Sequence, residues 1–301
     1  IMPRGYAPGP CTATHRVAGE SRRYPFGPTK DRGDDCLCME ADGTAKPVAL
    51  SSVFRDDQIE HVFDNRDPRL AQTILDPRQE EQIIVEQLDV HVPRLTGMAS
   101  GNWLTTTGYH FIKNFDRQDE LKGFAEEIDY PVIRYAEVLL NYAEAKAEKE
   151  NISQADLDKS INQLRDRAGM PHLDMNPPMD PKYSGEGLSS LLVEIRRERR
   201  IELAFENFRY QDLMRWKKGN YLAKPVLGMR LEDADRAPGG RYEKTTVKTV
   251  EVDGKKYIDV FSGTDYAKEK RVFNENKHYL RPLPIDVIAK NPNLDQNPGW
   301  E

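Results

Sequence analysis

Apolar residues recur with a helical period in the middle of the chain. Tyr135, Val138, Leu139 and Tyr142 fall at i, i+3, i+4 and i+7, which places them on one face of an α-helix. Pro131 lies just upstream, where its missing N–H removes nothing that a first helical turn would use. The spacing therefore predicts an amphipathic helix whose stripe of apolar side chains packs against a neighbour.

A second helical pattern begins at Ser153, and Asp156 three residues later makes a variant of the capping box. Gly169 followed by Pro171 predicts its end. Its apolar stripe consists of Leu157, Ile161, Leu164 and Ala168. Two amphipathic helices joined by a short turn form an antiparallel hairpin, the unit of helical-repeat proteins. Because one hairpin cannot bury its own apolar face, we expect neighbours to stack on it.

A third helix is predicted over about 188–205, with two apolar faces separated by RRERR at 196–200. We interpret this charged run as a solvated face held by pairs such as Glu194–Arg197 and Arg199–Glu202 at i, i+3. The alternative is that the helix contacts different neighbours along its length and that some of these charges are fixed at the crossover.

The remaining segments predict loops and short strands. Residues 1–63 are rich in Gly, Pro and Arg and predict a loop held against something larger, and residues 95–108 predict an exposed loop. Residues 80–92 and 109–115 predict short strands, the latter with Phe111 and Phe115 on one face. Residues 229–242 are turn-rich. Residues 245–261 predict a hairpin that turns at Asp253-Gly254, and the tail predicts one short helix begun near Pro284.

The segment FDNRDPRL places Arg66 and Arg69 on either side of Asp67-Pro68. Pro68 keeps Asp67 extended, and an arginine can bind carboxylates or backbone carbonyls through two N–H groups at once. A catalytic role would need a base and a nucleophile nearby. We therefore predict a structural clamp at this segment.

Five blocks of the sequence together resemble the SusD/RagB family, and they occur in that family's order. They are DNRDPRL at 64–70, GYHFIKNFD at 108–116, YPVIRYAEVLLNYAEAKAE at 130–148, IRRERRIELAFENFRYQDLMRW at 195–216 and RPLPIDVIAKNPNLDQNPGW at 281–300. Members of the family are surface lipoproteins of Bacteroidetes that bind nutrients beside a TonB-dependent outer-membrane transporter. The resemblance implies a mainly α, SusD-like fold of tetratricopeptide-like helical hairpins with long loops and a small β-hairpin.

With this resemblance the chain divides into three parts of one folded unit. Residues 1–128 are predicted to be loop-rich, with short strands, and to face the ligand; 129–219 form the helical-repeat core; 220–301 form the β-hairpin and a C-terminal wrap. Family members are usually longer and begin with a lipidated cysteine and further helical repeats. The resemblance therefore implies that an N-terminal part, with the signal peptide and anchor, is missing from this sequence.

Composition narrows the function classes. The 301 residues are 38% hydrophobic and 31% charged, as in well-solvated globular proteins. The net charge of -6 argues against general nucleic-acid binding, and no apolar run approaches the ~18–20 residues that span a bilayer. Cys11, Cys36 and Cys38 make neither a disulfide framework nor a zinc site. We expect neither metal nor cofactor.

The sequence carries none of the motifs GxSxG, HExxH, GxGxxG or GxxxxGK[ST], so we predict that the protein is not an enzyme and has no catalytic residue. The acidic pairs Asp56-Asp57 and Glu126-Glu127 could serve a glycosidase only if folding brought two carboxylates to the separation that this chemistry requires. Such pairs are usually solvated.

Aromatic residues in loops are the best candidates for a ligand site. Flat rings stack on the C–H faces of sugars, while Arg and Asn side chains bond the hydroxyls. The predicted ligand-binding residues are Arg4, Tyr6, Tyr24, Phe26, Asn102, Trp103 and Tyr109, with Arg23 beside them. The alternative for each ring is that it anchors its loop to the helical body.

The resemblance implies that the protein captures oligosaccharides or polysaccharides at the outer-membrane surface and passes them to a SusC-like TonB-dependent transporter. Peptide capture by a member of the same family is the nearest alternative. An intracellular helical-repeat adaptor for protein partners and a glycosidase are further alternatives from other classes.

Overall fold

The computed structural model describes residues 27–79, 93–98, 104–114, 131–262, 271–291 and 293–301. Over these residues the protein is mainly helical, with a two-stranded and a three-stranded antiparallel sheet, as the sequence predicts for its fold class. The chain up to Phe205 forms a larger unit with Val226–Val260. Glu206–Pro225 and Phe261–Glu301 form a smaller unit. The three-part division at 128 and 219 remains a prediction.

The α-helices of the described residues are α1 (Lys30–Asp34), α2 (Arg69–Thr73), α3 (Tyr135–Glu148), α4 (Gln154–Asp158), α5 (Ile161–Ala168), α6 (Ser190–Glu202), α7 (Phe208–Arg215), α8 (Asp233–Arg236) and α9 (Ile285–Lys290). Short 3-10 helices cover Val48–Leu50, Glu60–Phe63, Pro181–Tyr183 and Gly219–Ala223. The strands are β1 (Cys38–Met39), β2 (Ala45–Lys46), β3 (Leu227–Arg230), β4 (Thr249–Val252) and β5 (Lys255–Asp259). None of the helices in these ranges is both long and apolar enough to cross a bilayer.

Helix α3 forms where the period predicts it, but it buries a different face. The side chains that pack inward are Ala136, Leu139, Leu140 and Ala143. Tyr135, Val138 and Tyr142 are exposed, so the expectation that they line the packed stripe is wrong. The face with two alanines lets the backbone of α6 approach closely, and only Leu139 belongs to both faces.

The second predicted helix is interrupted. Ser153 and Asp156 form the predicted capping box, and Gly169 ends α5 in the left-handed conformation at φ 68°. Between them Ser160 leaves helical geometry, and its hydroxyl donates to the carbonyl of Asp156 at 2.6 Å. A serine that bonds a preceding carbonyl in this way competes with the helical ladder. The residues of the predicted stripe are nevertheless all buried, Leu157 in α4 and Ile161, Leu164 and Ala168 in α5.

The described part of the N-terminal region is more regular than predicted. Residues 27–63 hold α1, β1, β2 and two 3-10 helices, so a simple loop is the wrong description. Thr29 caps α1 by accepting from the backbone N–H of Arg32 at 3.3 Å. Asp42 accepts from the N–H of Thr44 at 2.9 Å and sets the turn between β1 and β2. Local side-chain bonds of this kind leave no periodic signal in the sequence.

The hairpin of β4 and β5 is confirmed, and β3 extends it. Asp253 and Gly254 both have positive φ, 51° and 73°, as a two-residue hairpin turn of the I′ type requires. β3 pairs with the other side of β5, although it overlaps a segment that the sequence predicts as turns. A Cβ at Gly228 would lie 2.4 Å from the carbonyl oxygen of Thr107, so β3 reaches this position only with glycine.

The predicted strand over 109–115 is not formed in its described part, where Phe111 makes one isolated bridge with Ile74. The predicted strand over 80–92, like Phe115 and Cys11, lies outside the described residues. Cys36 and Cys38 are buried free thiols.

One apolar cluster joins distant segments of the larger unit. It contains Cys36, Ile59, Val62, Phe63, Leu70, Ile74, Leu95, Tyr109, Ile201, Met229, Leu231, Tyr242 and Ile258. Since these residues come from α2, α6, β3, β5 and the loops between them, the loops are part of the same core as the helices.

The smaller unit contains α7, α9 and the C-terminal tail. α9 confirms the short helix predicted after Pro284. The Trp300 indole N–H lies 3.1 Å from the carbonyls of Lys277 and of Leu280. The Asn297 amide donates to the carbonyl of Arg281 at 2.6 Å. These bonds fix the tail against the preceding segment of its own unit.

Candidate ligand-binding site

The predicted ligand-binding residues divide into two groups in the structure. Arg4, Tyr6, Tyr24, Phe26, Asn102 and Trp103, with Arg23, lie outside the described residues. Tyr109 is described and buried in the apolar cluster of the larger unit, where burial raises the pKa of its hydroxyl above the ordinary value. The Tyr109 ring therefore anchors its loop and presents no open face to a ligand in this structure.

We call residues 99–103, within the predicted exposed loop, the Trp103 loop. The residues that follow it are fixed by backbone bonds. Arg94 and Leu104 form a parallel bridge, and the N–H of Thr105 donates to the carbonyl of Arg94 at 2.9 Å. Thr105 itself is buried. The chain therefore has a defined position at Leu104 and Thr105, directly after residues 99–103.

The residues that precede the Trp103 loop are fixed by contacts with another segment of the chain, residues 244–246. The carbonyl of Thr96 accepts from the N–H of Thr246 at 2.9 Å and from the hydroxyl of Thr245 at 3.0 Å. Gly97 has φ +92°, and a Cβ there would lie 2.7 Å from the carbonyl oxygen of Lys244. Because only glycine combines this φ with this close approach, a larger residue at position 97 would push the two segments apart.

Gly27 brings a second predicted segment to the base of the Trp103 loop. A Cβ at Gly27 would lie 2.2 Å from the hydroxyl oxygen of Thr107, 2.8 Å from that of Thr105 and 2.3 Å from the carbonyl oxygen of Tyr109. Gly27 directly follows Phe26, and Thr105 lies two residues after Trp103. The structure therefore brings the sequence neighbours of two predicted aromatic residues into contact.

The segment that receives Gly27 is a buried turn, so the predicted exposed loop over 95–108 is wrong for residues 104–108. The Thr105 hydroxyl donates to the carbonyl of Tyr109 at 2.9 Å, and the N–H of Tyr109 donates to the Thr107 hydroxyl at 3.2 Å. Gly108 turns the chain at φ +82° against Met229. Three consecutive threonines look solvent-facing in the sequence, but bonds to the local backbone satisfy the buried hydroxyls.

The Arg66 half of the predicted clamp binds backbone carbonyls. Its guanidinium donates to the carbonyls of Val62 at 2.9 Å, Gly33 at 2.6 Å and Cys36 at 2.8 Å. Arg66 is buried, and its guanidinium links α1 to the 3-10 helix at Glu60–Phe63. The prediction of a structural clamp is confirmed at this residue.

Arg69 provides the other half of the clamp and reaches α6. Its Nε and Nη2 donate to the two carboxylate oxygens of Asp67 at 3.0 and 2.7 Å. Its Nη1 donates to Glu198 and, at 3.1 Å, to Glu202. Arg69 is 5% exposed. The RDPRL segment is therefore locked to α6 through charge-assisted bonds inside the protein.

The charged run of α6 is largely buried. Arg197, Glu198 and Arg199 are each at most 5% exposed, so a solvated face is the wrong interpretation and the alternative of charges fixed at a crossover is right. The predicted Glu194–Arg197 pair forms at 2.9 Å. Arg165 of α5 contacts Glu198 at 3.0 Å. The partners come from segments far away in sequence, and no property of RRERR alone reveals them.

Glu202, the last residue of α6, is bonded by several arginine and lysine side chains. Its carboxylate accepts from Arg69, from Arg134 at 2.6 Å and from Arg167 at 2.6 Å, and its carbonyl accepts from Lys113 at 2.8 Å. Burial disfavours the ionised carboxylate, but the hydrogen bond from Arg134 and the charges of Arg167 and Arg69 outweigh it, and the pKa of Glu202 is lowered to about 2. This carboxylate therefore stays ionised and structural.

The acidic pair Asp56-Asp57 does not form a poised acid and base. Asp56 is buried and accepts from Lys255 at 3.0 Å and from the Tyr257 hydroxyl at 2.8 Å. Burial opposes ionisation of Asp56, but these hydrogen bonds outweigh it and lower its pKa. Asp57 pairs with His61 at 2.9 Å. Glu126-Glu127 lies outside the described residues, and no cluster of three or more metal-ligating side chains occurs within them.

Comparison with known proteins gives consistent matches. The model of the SusD family matches residues 40–300. The SusD-like protein P2 of Formosa agariphila is 29% identical over 180 residues, which are 59% of this chain and 27% of that protein. A SusD-like protein and a SusD-like carbohydrate binding protein, both from Bacteroides fragilis, have crystal structures that match with TM-scores of 0.60 and 26% identity. The matches cover 91% and 89% of this chain but 47% and 48% of theirs. The chain thus spans about half the length of these solved relatives.

Proposed function

The chain belongs to the SusD family, and from this premise we propose that it is part of a nutrient-binding protein that captures oligosaccharides or polysaccharides. The whole protein acts as a surface-exposed lipoprotein of the outer membrane. It holds the glycan without chemical change and passes it to a SusC-like TonB-dependent transporter.

One structural observation carries the proposed site, namely the contact of Gly27 with Thr105 and Thr107. Phe26 and Trp103 lie within two residues of this contact in the sequence. We propose that Tyr24, Phe26, Asn102 and Trp103 form one glycan platform there, with Arg4 and Tyr6 contributed by the same N-terminal segment.

The fixed base of the Trp103 loop favours binding. Association costs about 0.5–1.5 kcal/mol for each flexible side chain that it immobilises, and ordering a loop adds to this cost. Bonds at Thr96 and Thr105 hold the two ends of the loop before any ligand arrives, which lowers the ordering cost. Stacking on the ring then supplies affinity, and the Asn102 amide supplies hydrogen bonds to hydroxyls.

One relative favours a glycan over a peptide as the ligand. One solved relative at 26% identity is described as a carbohydrate binding protein. The Asp56 carboxylate, a member of one acidic pair that a glycosidase could use, is instead engaged by Lys255.

The experiment is native gel electrophoresis of the protein through gels that contain single polysaccharides, alongside a panel of peptides tested by competition. We expect retardation by one class of glycan, loss of retardation in Trp103→Ala and no loss in Tyr210→Ala, a partly exposed aromatic of the smaller unit. Binding to peptides alone would replace the glycan by a peptide. Release of reducing sugar from a retained polysaccharide would contradict capture without chemistry.

A further inference from the structure

Arg32 and Arg66 place two buried positive charges beside Cys36. The Arg32 guanidinium, on α1, donates to the Cys36 Sγ atom and to the carbonyl of Ile201, both at 3.2 Å. The Arg66 guanidinium donates to the carbonyl of Cys36 at 2.8 Å. The two arginines, which we call the arginine pair, are 7% and 6% exposed. Two like charges therefore contact one residue inside the protein, where solvent screens them little.

The arginine pair has no carboxylate acceptor among the described residues. Its hydrogen bonds go to backbone carbonyls and to the Cys36 thiol. The aspartates nearest to the pair in sequence accept from other cations: Asp31 and Asp35 from Lys182, Asp34 from Lys30 and Asp67 from Arg69. Buried charges are normally paired, because burial removes the water that would stabilise them. The arginine pair therefore calls for a negative counter-ion that these carboxylates do not supply.

Each arginine of the pair also has one buried donor without an acceptor. Nε of Arg32 and Nε of Arg66 have no hydrogen-bond partner in the described part of the chain, and buried donors of this kind indicate a bound ion or water. Gly33 lies beside them, and its carbonyl accepts from Arg66 at 2.6 Å. Gly33 is buried, yet outside its own helix and its chain neighbours no heavy atom would lie within 4 Å of a Cβ built there. The interior therefore has room next to the arginine pair.

We propose that the arginine pair binds a small monovalent anion such as chloride through its two Nε–H groups. One negative charge between two guanidiniums reduces their mutual repulsion and gives both unpaired donors an acceptor. Carboxylates and phosphates bind arginine best through two parallel N–H groups, but all four Nη atoms of the pair already donate to the protein. A spherical ion needs only one N–H from each side chain.

The test is unfolding in urea, monitored by circular dichroism, in buffers where sodium chloride replaces sodium gluconate at constant ionic strength. Constant ionic strength keeps the general screening of charges unchanged. We expect the unfolding equilibrium constant of the parent to fall with chloride and to be about elevenfold lower at ten times the dissociation constant. Arg32→Gln should lose this dependence. Arg55→Gln, which removes an arginine with a 55% exposed side chain, should keep it.

Bromide gives an independent measurement that needs no variant. In crystals of the parent grown with bromide, we expect an anomalous-scattering peak within hydrogen-bond distance of Nε in both Arg32 and Arg66. Bromide at the protein surface only, as an adventitious ion, would overturn the proposal. So would a stability of the parent that does not respond to chloride, or an equal response in the parent and Arg32→Gln. Chloride independence together with a thiolate absorption band that Cys36→Ala removes would also overturn it, because the Cys36 thiolate would then be the counter-ion.

Discussion

The sequence contains two Asp-Pro-Arg motifs that share one geometry and differ in burial. In each motif the arginine N–H and Nε lie 3.0 Å from one aspartate oxygen, and Nη2 reaches the other at 2.7 Å for Arg69 and 2.8 Å for Arg78. The Arg69 side chain is 6% exposed, whereas that of Arg78 is 47% exposed. The two motifs therefore compare a buried arginine with an exposed one in the same local ion pair, although Arg69 has two further carboxylate partners in α6.

Arg69→Met should destabilise the larger unit strongly. It leaves Asp67, which is 1% exposed, without its guanidinium partner, and it removes one donor each from Glu198 and Glu202. Glu198 keeps its bond from Arg165, and Glu202 keeps its bonds from Arg134 and Arg167. Most of the lost stabilisation therefore comes from Asp67. Removing one partner of a buried pair costs about 3–5 kcal/mol, and we expect a loss of unfolding free energy in that range.

Arg78→Met is the matched control. Its guanidinium also pairs with Asp64 at 2.6 Å. Asp76 is buried, but the Arg78 side chain is 47% exposed, so solvent reaches the guanidinium in both contacts and we expect a smaller loss of unfolding free energy than for Arg69→Met. The assay is unfolding in urea, monitored by far-ultraviolet circular dichroism, for the parent, Arg69→Met and Arg78→Met. The dependence of the unfolding free energy on urea concentration is compared among the three proteins. Equal losses in the two variants, or a loss below about 1 kcal/mol for Arg69→Met, would refute the structural role of the buried clamp.

Three further substitutions test other parts of the structure. Glu202→Gln should lower the urea midpoint at pH 7 and flatten its fall between about pH 4.5 and pH 2, because Glu202 stabilises the fold only while it is ionised and its folded pKa is about 2. His110→Gln should flatten a fall in stability between about pH 6.5 and pH 4, since burial lowers the His110 pKa to about 4 and only the unfolded chain takes up the proton in that interval. Gly27→Ala should weaken glycan retardation, because its Cβ would lie 2.3 Å from the Tyr109 carbonyl oxygen, whereas Gly185→Ala, with open space around its Cβ, should not.

The elements that a local pattern determines could be predicted from the sequence. The turn at Asp253-Gly254 needs positive φ at both positions, and few residue pairs allow it. The capping box at Ser153 and the glycine stop at Gly169 likewise depend on neighbours within a few residues. These features appear in the structure at the predicted positions.

The orientation of α3 could not be predicted in the same way. Both of its faces are apolar, one through Ala136, Leu140 and Ala143 and the other through Tyr135 and Val138. A period of 3.6 residues identifies a helix with such faces but does not say which one meets α6. Which face of α3 packs depends on how well it fits the surface of α6, and that surface is formed by residues far away in sequence.

The burial of RRERR and the position of the candidate site have the same limitation. Arg197 and Glu198 are buried because carboxylates and arginines of other segments neutralise them. The contact between Gly27 and Thr105 joins two loops whose sequences show no relation to each other. The residue types proposed for a glycan platform could be selected from composition and loop position, but the contact of Gly27 with Thr105 required the fold.

The most direct measurement is isothermal titration calorimetry with the glycan that retards the protein in gels. We expect saturable binding by the parent and by Tyr210→Ala, with affinity about two- to twelvefold weaker in Trp103→Ala, because an aromatic contact supplies about 0.5–1.5 kcal/mol. Unchanged affinity in Trp103→Ala would contradict the proposed platform. The absence of heat with every glycan, together with saturable binding of a peptide, would contradict glycan capture itself.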